Sequence, residues 1–289
     1  MPGLKEIRKR ISSVKSTKQI TKAMKMVAAA KFRKAQIRII ELRPYADKMH
    51  AVLSGLAAAV EAGHPLLEVR PRKKVEVVVL TSDKGLCGAF NTNVMKAAFR
   101  LIKETRAEGI TVSVSSIGKK GTDLLKRRGL PPRQSWVGIS GRVFYGNAQE
   151  IARDIIDNYT DESFDEVFLV YNEFRSALVQ KVSVVRLLPL SPVREEAAEQ
   201  GAAADFLYEP SQQAIFEKLL PKNLEIQVFR ALLESQASEE AARMTSMENA
   251  TKAADDMIAS LTLQYNKARQ ASITKELMDI VGGVEALKQ

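Results

Sequence analysis

From Glu234 to Gln289 apolar or small residues recur three or four positions apart: Ala237, Ala241, Met244, Met247, Ala250, Ala254, Ile258, Leu261, Tyr265 and Ala268. The stretch has no proline, and its only glycines are Gly282 and Gly283. This spacing predicts one long helix with a narrow seam, and a repeat near 3.5 residues lets two helices wrap around each other left-handedly. Such a helix needs a partner. The chain opens on a similar pattern, with Leu4, Ile7, Ile11 and Val14 followed by Ile20, Met24, Val27 and Ala28. A helix is expected from about Leu4 to about Glu61, interrupted only by Pro44 and ended near Gly63 and Pro65. At the standard helical rise it is a rod on the order of 80 Å, and the C-terminal helix, from about Ser211 to Leu287, is on the order of 115 Å. The longer helix outruns its partner, so part of its stripe must stand alone or be sheathed by another protein.

Between the two helices the period changes. Val75–Ser82 is a β-branched run, followed by the turn-rich Asp83–Gly88 and a helical stretch from Asn91 to about Glu108. Thr111–Ile117 reads as a second strand, about Gly121–Arg128 as a short helix, Ser135–Ile139 as a weak third strand, and Asn147–Tyr159 as a helix. Glu166–Phe174 and Lys181–Leu190 read as a hairpin turning across Arg175–Leu178. Strands and helices alternating at this spacing imply βαβ units and a mostly parallel sheet with an antiparallel edge. The expected fold class is therefore α/β: a Rossmann-like domain, residues 68–192, inserted between an N-terminal coiled-coil helix, residues 1–63, and a C-terminal one, residues 206–289. Arg194–Asp205 is expected to be a linker.

At 289 residues, 45% of them hydrophobic, the chain can bury a substantial core. Its single cysteine, Cys87, excludes an internal disulfide framework and points to a reducing compartment. No apolar run approaches the length of a membrane span, and the charged N-terminus lacks the apolar core of a signal peptide. The net charge of +10 is unevenly placed: within residues 1–50, 14 cations face only Glu6, Glu41 and Asp47, so this segment carries the whole excess. Such a helix is either a solvated face or is drawn to nucleic acid, anionic lipid or an acidic protein. Only Phe32 and Tyr45 lie among its cations, too few for base stacking, so an acidic protein partner fits better than nucleic acid.

Candidate chemistry is sparse. The glycines of Ser82-Asp83-Lys84-Gly85-Leu86-Cys87-Gly88 sit where a dinucleotide fold places phosphate-binding backbone. Their spacing matches neither G-x-G-x-x-G nor the P-loop, so a structural turn is the better reading. Cys87 lacks a nearby histidine and reads as a small buried residue. His50 and His64, the only histidines, have no partner that would make them ligands or bases. Asp255 and Asp256 are adjacent and diverge on a helix, which excludes a paired-carboxylate site. No catalytic, metal-binding or cofactor-binding constellation emerges, and a mechanical or scaffold role is favoured. A coiled-coil adaptor carrying a nucleotide- or nucleic-acid-binding α/β module is the alternative.

Three motifs together carry a family resemblance: Ile20-Thr21-Lys22-Ala23-Met24-Lys25-Met26-Val27-Ala28-Ala29-Ala30-Lys31, the segment from Ser82 to Asn91, and Ala268-Arg269-Gln270-Ala271-Ser272-Ile273-Thr274-Lys275-Glu276-Leu277. The chain resembles the γ subunits of F-type ATP synthases over its whole length. That resemblance implies the antiparallel coiled coil of a rotor turning inside three α and three β subunits, with an ε subunit on the α/β domain and a membrane c-ring beneath its foot. It implies a chain that is not itself an enzyme and lies peripherally on the cytoplasmic face of a bacterial plasma membrane. By position, Met24, Lys25, Arg269, Gln270 and Thr274 match the family's contact with an acidic loop of β, and Tyr208, Glu209 and Pro210 match the foot. Gly283-Val284 and Ala253 depart from the family's common pattern.

Overall fold

A computed structural model describes residues 3–59, 64–176, 179–190 and 211–286. The expected linker Arg194–Asp205 and the foot residues Tyr208, Glu209 and Pro210 lie outside them, as does the side chain of His50. The first helix, α1, runs from Leu4 to Ala59 with Pro44 inside it, and the last, α5, runs from Gln212 to Ala286 with Pro221 inside it. Between them come β1 (Lys74–Leu80), α2 (Phe90–Ala107), β2 (Thr111–Ile117), α3 (Lys119–Arg127), β3 (Ser135–Trp136), α4 (Tyr145–Thr160), β4 (Glu166–Phe174) and β5 (Gln180–Leu188). Every strand and helix read from the sequence is present among the described residues, with the ends inside them displaced by a few residues; the expected helix ends at Glu61 and Leu287 and the turn residues Ala177 and Leu178 lie outside them. The third strand is shorter than the Ser135–Ile139 expected.

The five strands lie in the order β3-β2-β1-β4-β5. All neighbours are parallel except β4 and β5, which form the antiparallel edge. β1 reads as a continuous buried run because, as the central parallel strand, it is covered on both faces. One face packs on α2 and α3 through Val75, Val77, Val79, Val94, Met95, Ala98, Ile102 and Leu125. The opposite face, with Val78, Leu80, Leu169 and Tyr171, shares a core with α4, with Ala35 to Leu56 of α1 and with Phe216 to Ala237 of α5.

The chain divides into two compact units, one comprising residues 1–28 with 244–289 and the other residues 29–243. The second holds the sheet, both core clusters and the adjoining parts of the long helices. The first is built of helix alone. Its pairs Lys18–Asp255, Thr21–Thr251 and Lys25–Glu248 run in opposite sequence directions, so α1 and α5 are antiparallel there.

Candidate functional site

Within the helical unit, every position read as the α5 seam from Met244 onward is buried or half-buried: Met247 and Ala254 are buried, while Met244, Ala250, Ile258, Leu261, Tyr265 and Ala268 are half-buried. The opposing stripe of α1 differs in part from expectation. Leu4, Ile7, Ile11 and Val14 face inward as read, but Ile20 and Val27 are 59% and 56% exposed. Thr21 takes the inward position instead, at 8% exposure, with Met24 half-buried and Ala28 buried. A polar residue is tolerated there because it finds a partner. The Thr21 and Thr251 hydroxyls lie 2.8 Å apart, and each also reaches a carbonyl of its own helix, Lys18 at 3.0 Å and Met247 at 2.7 Å.

The turn after β1 serves the fold rather than an anion. Asp83 acts as an internal anion at the start of α3, its carboxylate accepting from the backbone N–H groups of Lys119, Gly138 and Ser140 and from the Ser140 hydroxyl, all at 3.0 Å. The next free donors of the α3 start are also taken, Lys120 N–H by the Ser82 carbonyl at 3.0 Å and Gly121 N–H by the Thr81 hydroxyl at 2.9 Å. Gly118 holds φ at 95°, and a Cβ there would stand 2.2 Å from the Thr81 carbonyl oxygen, so the strand can meet this helix only through glycine. Cys87 sits beneath this turn at 2% exposure, its thiol pushed up by burial, which is the opposite of what a nucleophile needs.

Doubly wound sheets bind ligands at the carboxyl ends of their strands, where the strand order reverses. Here that point lies between β1 and β4, and α5 lies across it. Ser238 of α5 donates to the Asn172 carbonyl at 3.2 Å, and the Asn172 side chain donates to the Phe90 carbonyl at 3.2 Å. Tyr171 donates to Glu234 at 3.3 Å, and Arg243 reaches the Gly85 carbonyl at 3.5 Å. Burial and the Glu234 charge hold the Tyr171 hydroxyl protonated well above its usual range. The domain's own C-terminal helix occupies the crevice that a nucleotide would fill in other folds of this class.

A buried ionic cluster completes that junction. Arg243 sends Nη2 to Glu239 at 2.5 Å and Nη1 to Glu240 at 2.8 Å, and Lys31 of α1 stands 3.7 Å from Glu240. Glu239, Glu240 and Arg243 are 4%, 3% and 8% exposed. Burial pushes the Glu239 carboxyl up to about 7 against the pull of Arg243, and the neighbouring Glu240 and Asp83 charges push in the same direction. Nothing in the apolar period pointed to this cluster; the only signal was a run of two glutamates and an arginine on seam-adjacent positions. Sequence arithmetic also passed over a second basic region. From Lys84 to Arg128 ten cations face three acids, and acids elsewhere cancel them in the total. Lys96, Lys120, Arg127 and Arg128 line a groove of about 380 Å³ between α2 and α3, together with Leu86, Met95, Phe99 and Leu124.

The residues singled out on the long helices fall in two places. Met24 and Lys25 are half-buried on α1, where Lys25 pairs with Glu248 at 3.2 Å. Arg269, Gln270 and Thr274 are exposed on α5, roughly 30–40 Å further along that helix than Glu248 at the standard rise. They make two levels of the helical unit, not one zone. Among the described residues no helix is long and apolar enough to cross a membrane, and no three His, Cys, Asp or Glu side chains gather as for a metal ion.

Comparison with known proteins accounts for this arrangement. The family model described as ATP synthase matches residues 3–287. The ATP synthase gamma chain of Anaeromyxobacter sp. strain K is 50% identical over 292 residues, and that of Geobacter metallireducens 48% identical over 289, each alignment covering all of both chains. Among solved structures, a chain from the central stalk and c-ring of the Tetrahymena thermophila mitochondrial ATP synthase is 30% identical with a TM-score of 0.60, covering 80% of this chain and 99% of its own. A chain of the Euglena gracilis mitochondrial enzyme, at 22% identity, shares the fold with a TM-score of 0.67, over 98% of this chain and 94% of its own. With the family model matched over residues 3–287 and identity near 50% over the full length of both sequences, this chain is a member of the ATP synthase gamma chain family.

Proposed function

We propose that this chain is the central shaft of a rotary ATP synthase, coupling ion-driven rotation of a c-ring to ATP synthesis or hydrolysis at sites on β subunits. As a gamma chain it is a rotor subunit and carries no catalytic site of its own. The observation that carries the reading is identity near 50% with gamma chains over the full length of both sequences. The physical design supports it. A shaft must transmit torque without gripping its bearing, which suits a slender antiparallel helix pair with small residues in its seam. On this reading the parts are the helix of residues 1–63, the α/β domain of residues 68–192 and the helix of residues 206–289.

Three α and three β subunits surround the helical unit. Acidic loops of the β subunits meet it at two levels, one at Met24 and Lys25 and the other at Arg269, Gln270 and Thr274. Lys25 already pairs with Glu248, so at its level the contact works by exchange of partners and not by capture of a free cation. The ε subunit sits on the α/β domain, and Tyr208 and Glu209 stand at the foot on the c-ring. The complex lies on the cytoplasmic face of a bacterial plasma membrane. The rival adaptor with a nucleotide-binding module loses its natural site, since Ser238 and Arg243 of α5 lie across the crevice. Co-expression with α and β subunits tests the proposal. The expected result is a stoichiometric complex whose ATPase assembly requires this chain, and assembly without it overturns the reading.

A further inference from the structure

The junction between α5 and the turn after β1 holds two carboxylates and one guanidinium out of water. Arg243 Nη2 serves two acceptors unequally, lying 2.5 Å from Glu239 and 3.5 Å from the Gly85 carbonyl. The carboxylate therefore draws the guanidinium toward α5, and the loop carbonyl receives a bond at the limit of hydrogen-bond length. Glu240 is held by Nη1 and by half-exposed Lys31 through the same oxygen, Oε1, while its Oε2 is buried with no hydrogen-bond partner among the described residues. The groups facing Glu239 are Arg243 and Glu240 from α5, and Asp83 and the Cys87 thiol from the loop, with Lys31 of α1 acting through Glu240. One guanidinium cannot satisfy both buried carboxylates fully along with the loop carbonyl.

We propose that Glu239 is a proton-operated latch: when its carboxylate takes up a proton, the Arg243 guanidinium shifts from Glu239 to the Gly85 carbonyl and fastens the Lys84–Gly88 loop to α5. Loss of the proton draws the guanidinium back and loosens the loop. The proton comes from solvent and returns to it, and Arg243 keeps its charge throughout. Burial places the exchange near neutral pH. The attachment of the α/β domain to the helix across its switch point is thereby tied to the pH around the stalk. The latch is a property of this chain alone and does not rest on contact with any other subunit.

The full chain, labelled with ¹³C at its glutamate carboxyls, tests it by NMR. One carboxyl should titrate near pH 7, its signal should vanish in Glu239→Gln, and in Glu240→Gln its midpoint should fall because a neighbouring negative charge is gone. Amide exchange of Gly85 to Gly88, corrected for intrinsic base catalysis, should be slower at pH 6 than at pH 8, by about tenfold for each unit by which the latched and released states differ in the pKa of Glu239. Glu239→Gln should hold the slow value at both pH values, and Arg243→Lys, which cannot span both acceptors, should hold the fast one. A Glu239 carboxyl titrating below about pH 5.5, in the ordinary carboxylate range, overturns the proposal. So does loop protection in Glu239→Gln that still follows pH. Assembly with α and β is untouched by either result, so failure of the latch and failure of the rotor reading are read separately.

Discussion

Replacing Thr21 by valine tests how the helical unit keeps its register. The two seam threonines have two hydroxyl protons and three places to put them: the Lys18 carbonyl, the Met247 carbonyl and each other. Only two of the three bonds form at once, and at 2.8 Å between the oxygens one of them must cross the seam. In Thr21→Val the remaining Thr251 hydroxyl still donates to Met247, so one bond is lost and no donor is stranded. The cost is about 1 kcal/mol, the net worth of an ordinary hydrogen bond. Thr251→Val has the same consequence in mirror image. The double variant replaces both partners by apolar groups of the same shape, which is nearly neutral, so the two effects should not add and the coupling should approach about 2 kcal/mol, the sum of the two single costs. Thr21 and Thr251 lie in the smaller, helical unit, whose local opening a whole-chain unfolding curve does not isolate, so native-state hydrogen exchange at the amides around them is the suitable assay. Each single variant should speed exchange about fivefold, and the double by less than that. Additive effects, totalling about 2 kcal/mol in the double, would show that the hydroxyls act separately and that the cross-seam bond does not set the register.

Other outcomes follow from the same geometry. Gly118→Ala drives a Cβ to 2.2 Å from the Thr81 carbonyl oxygen and should cost more than ~2 kcal/mol, whereas Gly129→Ala, also at positive φ but with nothing within 4 Å, should cost about 1 kcal/mol; thermal unfolding of the two variants side by side checks this. His64 accepts the Leu66 N–H through Nδ1 at 3.1 Å, and burial lowers its pKa against the pull of Glu217. A lowered pKa favours the neutral form when folded, so its contribution is present above about pH 6.5, the unfolded value, and is lost as pH falls through the folded one. Urea unfolding between pH 7.5 and 5 should show that loss, and His64→Asn, which keeps an acceptor and does not titrate, should remove it. Arg269→Glu reverses an exposed charge at the second proposed contact level, so ATP-driven ion pumping in the assembled complex should fall while the amount of complex stays constant. Unchanged pumping would remove Arg269 from the contact.

The sequence by itself determined the elements and their order. Apolar residues at 3.5-residue spacing can be buried only along one line of a helix, so the α5 seam from Ala237 to Ala268 was legible position by position, and the strands were legible from their β-branched runs, which suit a pleated sheet. Whole-chain identity with gamma chains then carried the family. Tertiary structure decided what local period cannot encode. The helical phase of Leu4, Ile7, Ile11 and Val14 reaches Thr21, but that a polar residue is accepted on the seam was decided by the partner helix, which offers Thr251 at that height. Asp83 satisfies the start of α3 from 36 residues away, which turned a glycine-rich, phosphate-like turn into a structural clasp. The filling of the switch-point crevice by Ser238 and Arg243, and the enclosure of Glu239 and Glu240 with a single guanidinium, depend on the last helix being brought onto a sheet formed far earlier in the chain. Burial and hydrogen-bond pairing at such distances are properties of the fold, and there the charges that matter are the ones the whole-chain sum conceals.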